Sequence, residues 1–244
     1  MTTLRTLAIT LATAIALTAC GQSNDAPAVN AATPAKPNLA DLATPGAQER
    51  MANKALPTGD ANHPLTDYRS VDSGNQVMFL FYALSNLPVD YDRVAQAYST
   101  DYQQTSDSFK KHDLLNALKP RIDAAIETAR QNRYVVTTTP NVPLSAYDFA
   151  KKGFVLTNLT PDSYQYFFDN SRYSFEFSNA ANDGFLKIDD EEKAREIEDM
   201  RSHFKPMTLR LYAFAQEADP STNRVKFQIV HMQLVDQAGH VMYE

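Results

Sequence analysis

The chain has 244 residues, a formal net charge of −6 at pH 7 and a single cysteine. This length is enough for one medium-sized domain or two small ones. Because binding to a phosphate backbone requires a basic face, the acidic balance argues against a nucleic-acid partner. One cysteine allows neither an internal disulfide nor a zinc site built from several cysteines.

The N-terminal residues are typical of an export signal. Arg5 precedes an apolar run over residues 7–17, which is too short to cross about 30 Å of hydrocarbon. The run ends in Leu17-Thr18-Ala19-Cys20, which resembles a bacterial lipobox, whose cysteine thiol accepts a diacylglycerol. We therefore expect a signal peptide over residues 1–19, lipidation of Cys20 and membrane attachment through acyl chains alone. The alternatives are an ordinary secretory signal with an incidental cysteine and a buried cysteine.

The residues after Cys20 predict a location and a tether. In Gram-negative bacteria an aspartate after the lipidated cysteine favours the inner membrane, so Gly21 indicates an outer-membrane anchor facing the periplasm. The inner membrane, the cell surface and a Gram-positive host stay open. Residues 20–67 are rich in proline and contain no Phe or Tyr, so they bury too little apolar surface to order the backbone. We predict a disordered tether over residues 20–67, spanning about 35–40 Å, and a single domain over residues 68–244.

The first part of this domain is predicted to be helical. Ser73 is a suitable N-cap for a helix over residues 75–85, which is apolar on every face and therefore central in the core. Asp90 is a suitable cap for a second helix. A third helical segment begins near residues 106–107, and Pro120 inside it predicts a kink or a junction between two helices.

From residue 134 onward the pattern is mostly that of β-structure. Strands are predicted over residues 134–139, 172–178, 208–216, 224–235 and 241–243. A hairpin is predicted from residues 145–149 and 154–159, with Gly153 in a left-handed conformation. A helix with an acidic start is predicted to end near His203, with Ala194, Ile197, Met200 and Phe204 facing inward. Helices first and strands later predict an α+β fold, with N-terminal helices packed on a largely antiparallel sheet formed mainly by the C-terminal half.

Several short segments resemble a recurring signature of an uncharacterised family of Gram-negative envelope proteins. They are residues 108–121, Tyr147-Asp148-Phe149, Gly153-Phe154, Asn179-Ala180 and residues 194–198. The resemblance covers residues 89–243. It implies a domain of unknown function and supplies no catalytic residues.

No motif of a known catalytic or cofactor-binding site occurs in the sequence. We predict no cofactor, no metal site and no catalytic residue. Neighbouring His112 and Asp113 point to different faces of a helix, and His231 is expected on the same strand face as Ile229. The acidic run over residues 189–192 is typical of a helix start rather than of a calcium loop.

Aromatic residues are unusually dense over residues 164–177, and three further rings before them could join across the predicted hairpin. The density favours core packing, but it also supports a hypothesis of an aromatic-lined groove for a lipid tail, a peptide strand or a partner protein. The candidate groove residues are Tyr147, Phe149, Phe154, Tyr164, Tyr166 and Phe168.

The sequence favours a membrane-anchored lipoprotein without enzymatic activity, an accessory or binding module for an envelope protein or peptidoglycan. The alternatives are a periplasmic hydrolase that uses scattered Asp, Glu and His residues, and a carrier of small apolar ligands. An enzyme predicts a cleft with convergent polar groups and shifted pKa values, and a carrier predicts an enclosed apolar cavity. A docking module predicts an apolar patch or an exposed strand edge.

Overall fold

A computed structural model of the protein describes residues 56–161 and 163–244. Its helices lie mainly before its long strands, and the fold is α+β as predicted. The predicted signal peptide, the lipidation site Cys20 and the tether as far as residue 55 lie outside the described residues.

The helical half begins with a capped helix that fills the core. Its helices are α1 Gly74–Ser85, α2 Tyr91–Tyr98, α3 Thr100–Gln104 and α4 Ser108–Gln131. Ser73 and Gln76 form a reciprocal capping box at the start of α1, and Asp90 caps α2, which confirms both predicted starts. Helix α1 contacts α4 on one side and the long strands on the other, so its apolar surface is buried all round. Helix α3 was not predicted.

Helix α4 continues through Pro120, so the prediction of a junction between two helices at this point is wrong. Proline has no N–H to donate to the carbonyl of Asn116, one turn earlier. Both residues are exposed, and water can therefore reach this carbonyl. Asp107 caps the helix, its carboxylate accepting from the backbone N–H of Lys110 at 3.0 Å.

The strands form one large sheet and one small sheet. They are β1 Arg69–Ser70, β2 Tyr134–Pro140, β3 Gly153–Val155, β4 Tyr164–Tyr166, β5 Ser174–Phe177, β6 Phe185–Lys187, β7 Thr208–Asp219, β8 Arg224–Val235 and β9 Val241–Tyr243. The seven-stranded sheet has the order β1-β2-β7-β8-β5-β4, and β9 pairs with β8. The pairs β1–β2 and β5–β8 are parallel and the other pairs are antiparallel. One face of this sheet, the helix face, carries Leu211 and Phe227 into the core shared with α1, and we call the opposite face the open face.

The predicted hairpin is replaced by the small sheet, in which β3 pairs with β6. Among the described residues the two predicted arms form no strand ladder with each other; isolated bridges lie at Leu144–Leu156 and Asp148–Gly153, and the N–H of Ser145 donates to the carbonyl of Val155 at 3.0 Å. The left-handed residue is Lys152, with φ of 58°, rather than Gly153. A Cβ atom at Gly153 would lie 2.1 Å from the carbonyl oxygen of Leu186. The glycine is therefore needed for the close approach of β6 and not for its backbone angle.

The C-terminal half also contains α5 Ala180–Asp183 and α6 Glu191–Ser202. The carboxylate of Asp190 caps α6, and Ala194 and Ile197 are buried as predicted. Phe204, predicted to face inward, is 93% exposed. The helix ends two residues before it, so the helical spacing no longer applies at this position.

Residues 56–67, which the composition assigns to the tether, lie against the open face of the sheet. The imidazole of His63 stacks on the ring of Tyr134, with 3.6 Å between their centroids. The amide of Gln216 donates to the carbonyl of Pro57 at 2.7 Å, and Gly59 approaches Phe214 closely. The ordered part of the chain therefore begins before residue 68. Composition does not show this, because these contacts use a glycine, a histidine and backbone groups instead of large apolar side chains.

A β-bulge changes the predicted position of His231. Ala213 of β7 pairs with Ile229, whereas its neighbour Tyr212 pairs with His231, so Val230 is the extra residue. The alternation of faces is reversed beyond the bulge. His231 therefore lies on the open face with Tyr212, and the prediction that it shares the face of Ile229 is wrong.

Candidate functional site

The six aromatic residues predicted to line one groove lie in two separate places. Phe154 lies in the small sheet, with Tyr147 and Phe149 beside it, whereas Tyr164, Tyr166 and Phe168 lie at the edge of the large sheet. Within the part of the chain that the structure describes, no ring contact joins the two sets. Phe154 is completely buried and belongs to the core. The structure does not bring the six residues into one groove.

The first set lines part of a recess beside α6. The ring of Tyr147 contacts those of Phe149 and Phe154, at centroid distances of 5.1 and 5.2 Å. Phe149 is 86% exposed, and with Tyr147 it borders a volume of about 480 Å³.

The carboxylates around this recess already have cationic partners. The pairs are Asp189–Lys187, Glu191–Arg195, Glu198–Arg201 and Asp199–Lys205. The hydrogen bond from Arg201 holds the pKa of Glu198 below its usual range. These pairs account for the carboxylates that line the recess without a ligand.

The second set forms a row of exposed rings, which we call the aromatic ladder: Tyr164, Tyr166 and Phe168. The centroid distances along the row are 6.5 and 5.7 Å. The side chains are 53%, 46% and 93% exposed, respectively. Tyr164 pairs with Glu176 and Tyr166 with Ser174, which places both tyrosines on the open face of the sheet. Strand β4 is the last strand in the order, so its outer edge has no neighbouring strand among the described residues.

The turn that follows β4 is tied to the N-terminus of α1. Phe168 begins a short 3₁₀ helix whose next residue, Asp169, accepts from the backbone N–H of Gly74 at 2.8 Å. The amide of Asn170 donates to the side-chain oxygen of Asn75 at 3.1 Å. The exposed Phe168 therefore stands on a backbone that is fixed to the core, which lowers the conformational entropy lost on binding.

Two opposite charges next to the ladder, those of Arg224 and Glu176, neutralise each other. The guanidinium carbon of Arg224 lies 4.5 Å from the centroid of the Tyr164 ring, a cation–π contact. The same side chain donates to the carboxylate of Glu176 at 2.6 Å. The ladder therefore presents an apolar surface whose adjacent ion pair carries no net charge.

A third feature lies at the opposite edge of the large sheet, between β1, β2, α1 and α4. We call it the edge recess, and its volume is about 500 Å³. It is lined by Arg69, Ser70, Val71, Gln76, Phe79, Leu80, Ala125, Thr128, Ala129, Asn132 and Val135. No strand pattern predicts this recess, because β1 has two residues and no recognisable periodicity. The sequence feature that indicates a recess is the pair Ala125 and Ala129, because two small side chains one turn apart on the inward stripe of α4 leave space beside the helix.

The polar residues singled out in the sequence do not converge. His112 is exposed on α4, where its Nε2 lies 2.9 Å from the amide nitrogen of Asn116. Among the described residues, no group of three or more His, Cys, Asp or Glu side chains is placed to hold a metal ion. Within the same residues, none of the helices has the length and hydrophobicity that a bilayer crossing requires.

The strongest pKa shifts belong to buried tyrosines in different elements. Burial raises the pKa of Tyr68 to about 12, and Tyr68 lies on the open face beside Tyr212. Burial, together with the hydrogen bond to Asp92, raises the pKa of Tyr102 in α3 to about 12. Burial also raises the pKa of Tyr173, whose hydroxyl contacts that of Tyr82. These phenols stabilise separate parts of the fold and do not face one cleft.

Comparisons of the chain with protein-family models, with curated proteins and with solved structures found no match. The resemblances of residues 1–20 to a lipoprotein signal and of residues 89–243 to an envelope-protein family stay predictions. A functional proposal for this chain therefore depends on the geometry of the aromatic ladder and on the chemistry predicted for Cys20.

Proposed function

We propose that the protein is a lipid-anchored, non-enzymatic accessory protein of the bacterial cell envelope, whose domain docks a partner at the aromatic ladder. The observation that carries the proposal is the row of three exposed rings, two on an edge strand and one on the turn that follows it. A single exposed aromatic side chain is common, but a contiguous row at a free strand edge is typical of an interaction surface.

The partner is an extended protein segment with apolar side chains at alternate positions. Such a segment adds to the outer edge of β4 as a further strand, and its backbone pairs with the edge N–H and C=O groups. Its side chains on the open face then contact Tyr164 and Tyr166. Because Arg224 and Glu176 neutralise each other, the surface favours an apolar segment over a charged one.

The anchor explains where this docking takes place. Acyl chains on Cys20 fix the chain to a membrane, and Gly21 favours the outer membrane with the domain facing the periplasm. The predicted tether between Cys20 and the domain lets the domain meet partners at a distance from the membrane surface. Because the anchor keeps it in the envelope, its partner is a protein of the envelope.

A crosslinking experiment in cells tests the docking. The full-length chain carries a photo-crosslinking amino acid at position 168 or, as a matched control, at position 109, because Phe109 is also 87% exposed but lies on α4. We expect a discrete protein adduct from position 168 and none from position 109. Tyr166→Ser should reduce this adduct at least about tenfold, since burial of an aromatic side chain stabilises by about 1.5–3 kcal/mol and about 1.4 kcal/mol is a factor of ten. Phe204→Ser, at another exposed ring, should leave it unchanged.

Three results would contradict the proposal. One is the same set of adducts from positions 168 and 109, which indicates non-specific contact. Another is an adduct with peptidoglycan instead of protein, which indicates a wall-binding module. The third is turnover of wall fragments by the purified chain, which supports the hydrolase.

A second experiment tests the anchor separately. Cys20→Ser should move the protein from the membrane fraction to the soluble fraction and abolish incorporation of labelled palmitate. If Cys20→Ser still partitioned with membranes and the unsubstituted chain incorporated no palmitate, lipidation at Cys20 would be excluded. The crosslinking result at position 168 would not be affected by this outcome.

A further inference from the structure

The edge recess has an apolar floor. Val71, Phe79, Leu80 and Val135 are buried and form this floor, and Ala125 and Ala129 form one wall. None of the lining residues has a buried polar side-chain atom that lacks a hydrogen-bond partner. The volume of about 500 Å³ lies within the range of roughly 300–1,000 Å³ that is usual for small-molecule sites. The floor therefore suits a hydrocarbon group.

The rim of the recess carries one charge. Arg69 is the only ionisable residue among those that line it, although the chain as a whole has a net charge of −6. The Arg69 side chain is exposed, and it makes no ion pair or hydrogen bond with any residue of the described ranges. The nearest acidic residues in the sequence, Asp67 and Asp72, do not line the recess.

The two amide side chains of the rim are engaged within the protein. The amide of Gln76 donates to the carbonyl of Ser70 at 3.1 Å, and that of Asn132 donates to the carbonyl of Thr128 at 2.7 Å. The guanidinium of Arg69 is the charged donor at the mouth, and its charge selects an anion.

We infer that the edge recess binds a single-chain amphiphile with an anionic head, such as a fatty-acid carboxylate. The hydrocarbon chain lies on the apolar floor, and the carboxylate is held at the mouth by Arg69. The strand order places β1 and β4 at opposite edges of the sheet, so this site is separate from the aromatic ladder and does not depend on the docking proposal.

Binding of dodecanoate, measured by displacement of a fluorescent fatty acid, tests the inference. The protein is the full chain with Cys20→Ser, which keeps covalently attached lipid out of the measurement. We expect dodecanoate to bind about fifteenfold more tightly than decanoate, because two more methylenes are buried. Arg69→Gln should weaken the binding of dodecanoate about fivefold, which is the loss expected for a solvent-exposed ion pair. The binding of dodecanol, which has no charge, should be unchanged.

A filled recess provides the second variant. Ala129→Phe places a ring in the space and should abolish binding of dodecanoate and dodecanol alike. Ala124→Phe is the matched control, since Ala124 lies on the exposed side of the same helix. Absence of dodecanoate binding, unchanged binding in Ala129→Phe, or an equal effect of Arg69→Gln on acid and alcohol would overturn the inference.

Discussion

Asn179 is expected to be among the side chains on which the stability of the sheet depends most. It lies just beyond β5, where that strand no longer pairs with β8. Its side-chain oxygen accepts from the backbone N–H of Ile229 at 2.8 Å, and its amide donates to the carbonyl of the same residue at 2.9 Å. The side chain thus takes the place of the missing strand at Ile229, a buried residue of β8.

The substitution Asn179→Ala leaves both backbone groups of Ile229 without these partners. Each unsatisfied buried donor or acceptor costs about 1–3 kcal/mol, so two fully buried groups would cost about 2–6 kcal/mol. Because these two groups are only partly buried, we expect a loss of about 2–4 kcal/mol from a total of roughly 5–15 kcal/mol. With a urea m-value of about 2 kcal/mol/M, the unfolding midpoint falls by roughly 1–2 M. Asn182→Ala, at an exposed position in α5, is the control and should change the midpoint little.

The substitution Asn179→Asp distinguishes hydrogen bonding from packing. It has almost the same volume, but it replaces the amide donor with a carboxylate oxygen facing the carbonyl of Ile229. We expect it to be destabilised at neutral pH by at least 1 kcal/mol, because the donor is lost and two acceptors face each other. If Asn179→Asp were as stable as the unsubstituted protein, or if Asn179→Ala changed the midpoint no more than Asn182→Ala, the reasoning would be refuted.

Two further predictions concern the small sheet and the response to alkali. Gly153→Ala should lower the melting temperature much more than Lys152→Gly. The Cβ added at position 153 would lie 2.1 Å from the carbonyl oxygen of Leu186, whereas glycine at position 152 adopts the left-handed backbone without strain. Similar melting temperatures of the two variants would contradict this prediction. Burial and the hydrogen bond to Asp92 raise the pKa of Tyr102 to about 12, so its contribution to stability is complete below pH 10 and is lost between about pH 10 and 12. Tyr102→Phe should therefore make urea midpoints fall less over this interval, and an identical fall would show that Tyr102 does not titrate there.

The helix starts were predictable because each depends on neighbouring residues alone. Ser73, Asp90 and Asp190 each provide a side-chain oxygen within one turn of the N–H groups that they cap. The long strands were predictable for a similar reason, since their apolar residues recur at regular spacing over many positions.

Features that depend on distant pairing were not predictable. Strand β4 has three residues and exists only because β5 lies beside it. The bulge at Val230 reverses the face of His231, and no local pattern signals it. The aromatic density predicted that these rings matter, but the sheet topology, which separates Phe154 from Tyr166, was needed to show which rings are exposed.

The two proposed sites are connected through α1 and through the sheet. They lie at the two ends of a strand order of six, so five inter-strand spacings of about 4.8 Å separate them by roughly 24 Å, well beyond direct contact. Helix α1 reaches both, since Gly74 holds the turn that carries Phe168 and Phe79 lies on the floor of the recess. Because α1 is capped and buried all round, a ligand in the recess cannot shift it without disturbing the core. The binding free energies at the two sites are therefore expected to add, and Arg69→Gln should leave the crosslink at position 168 intact.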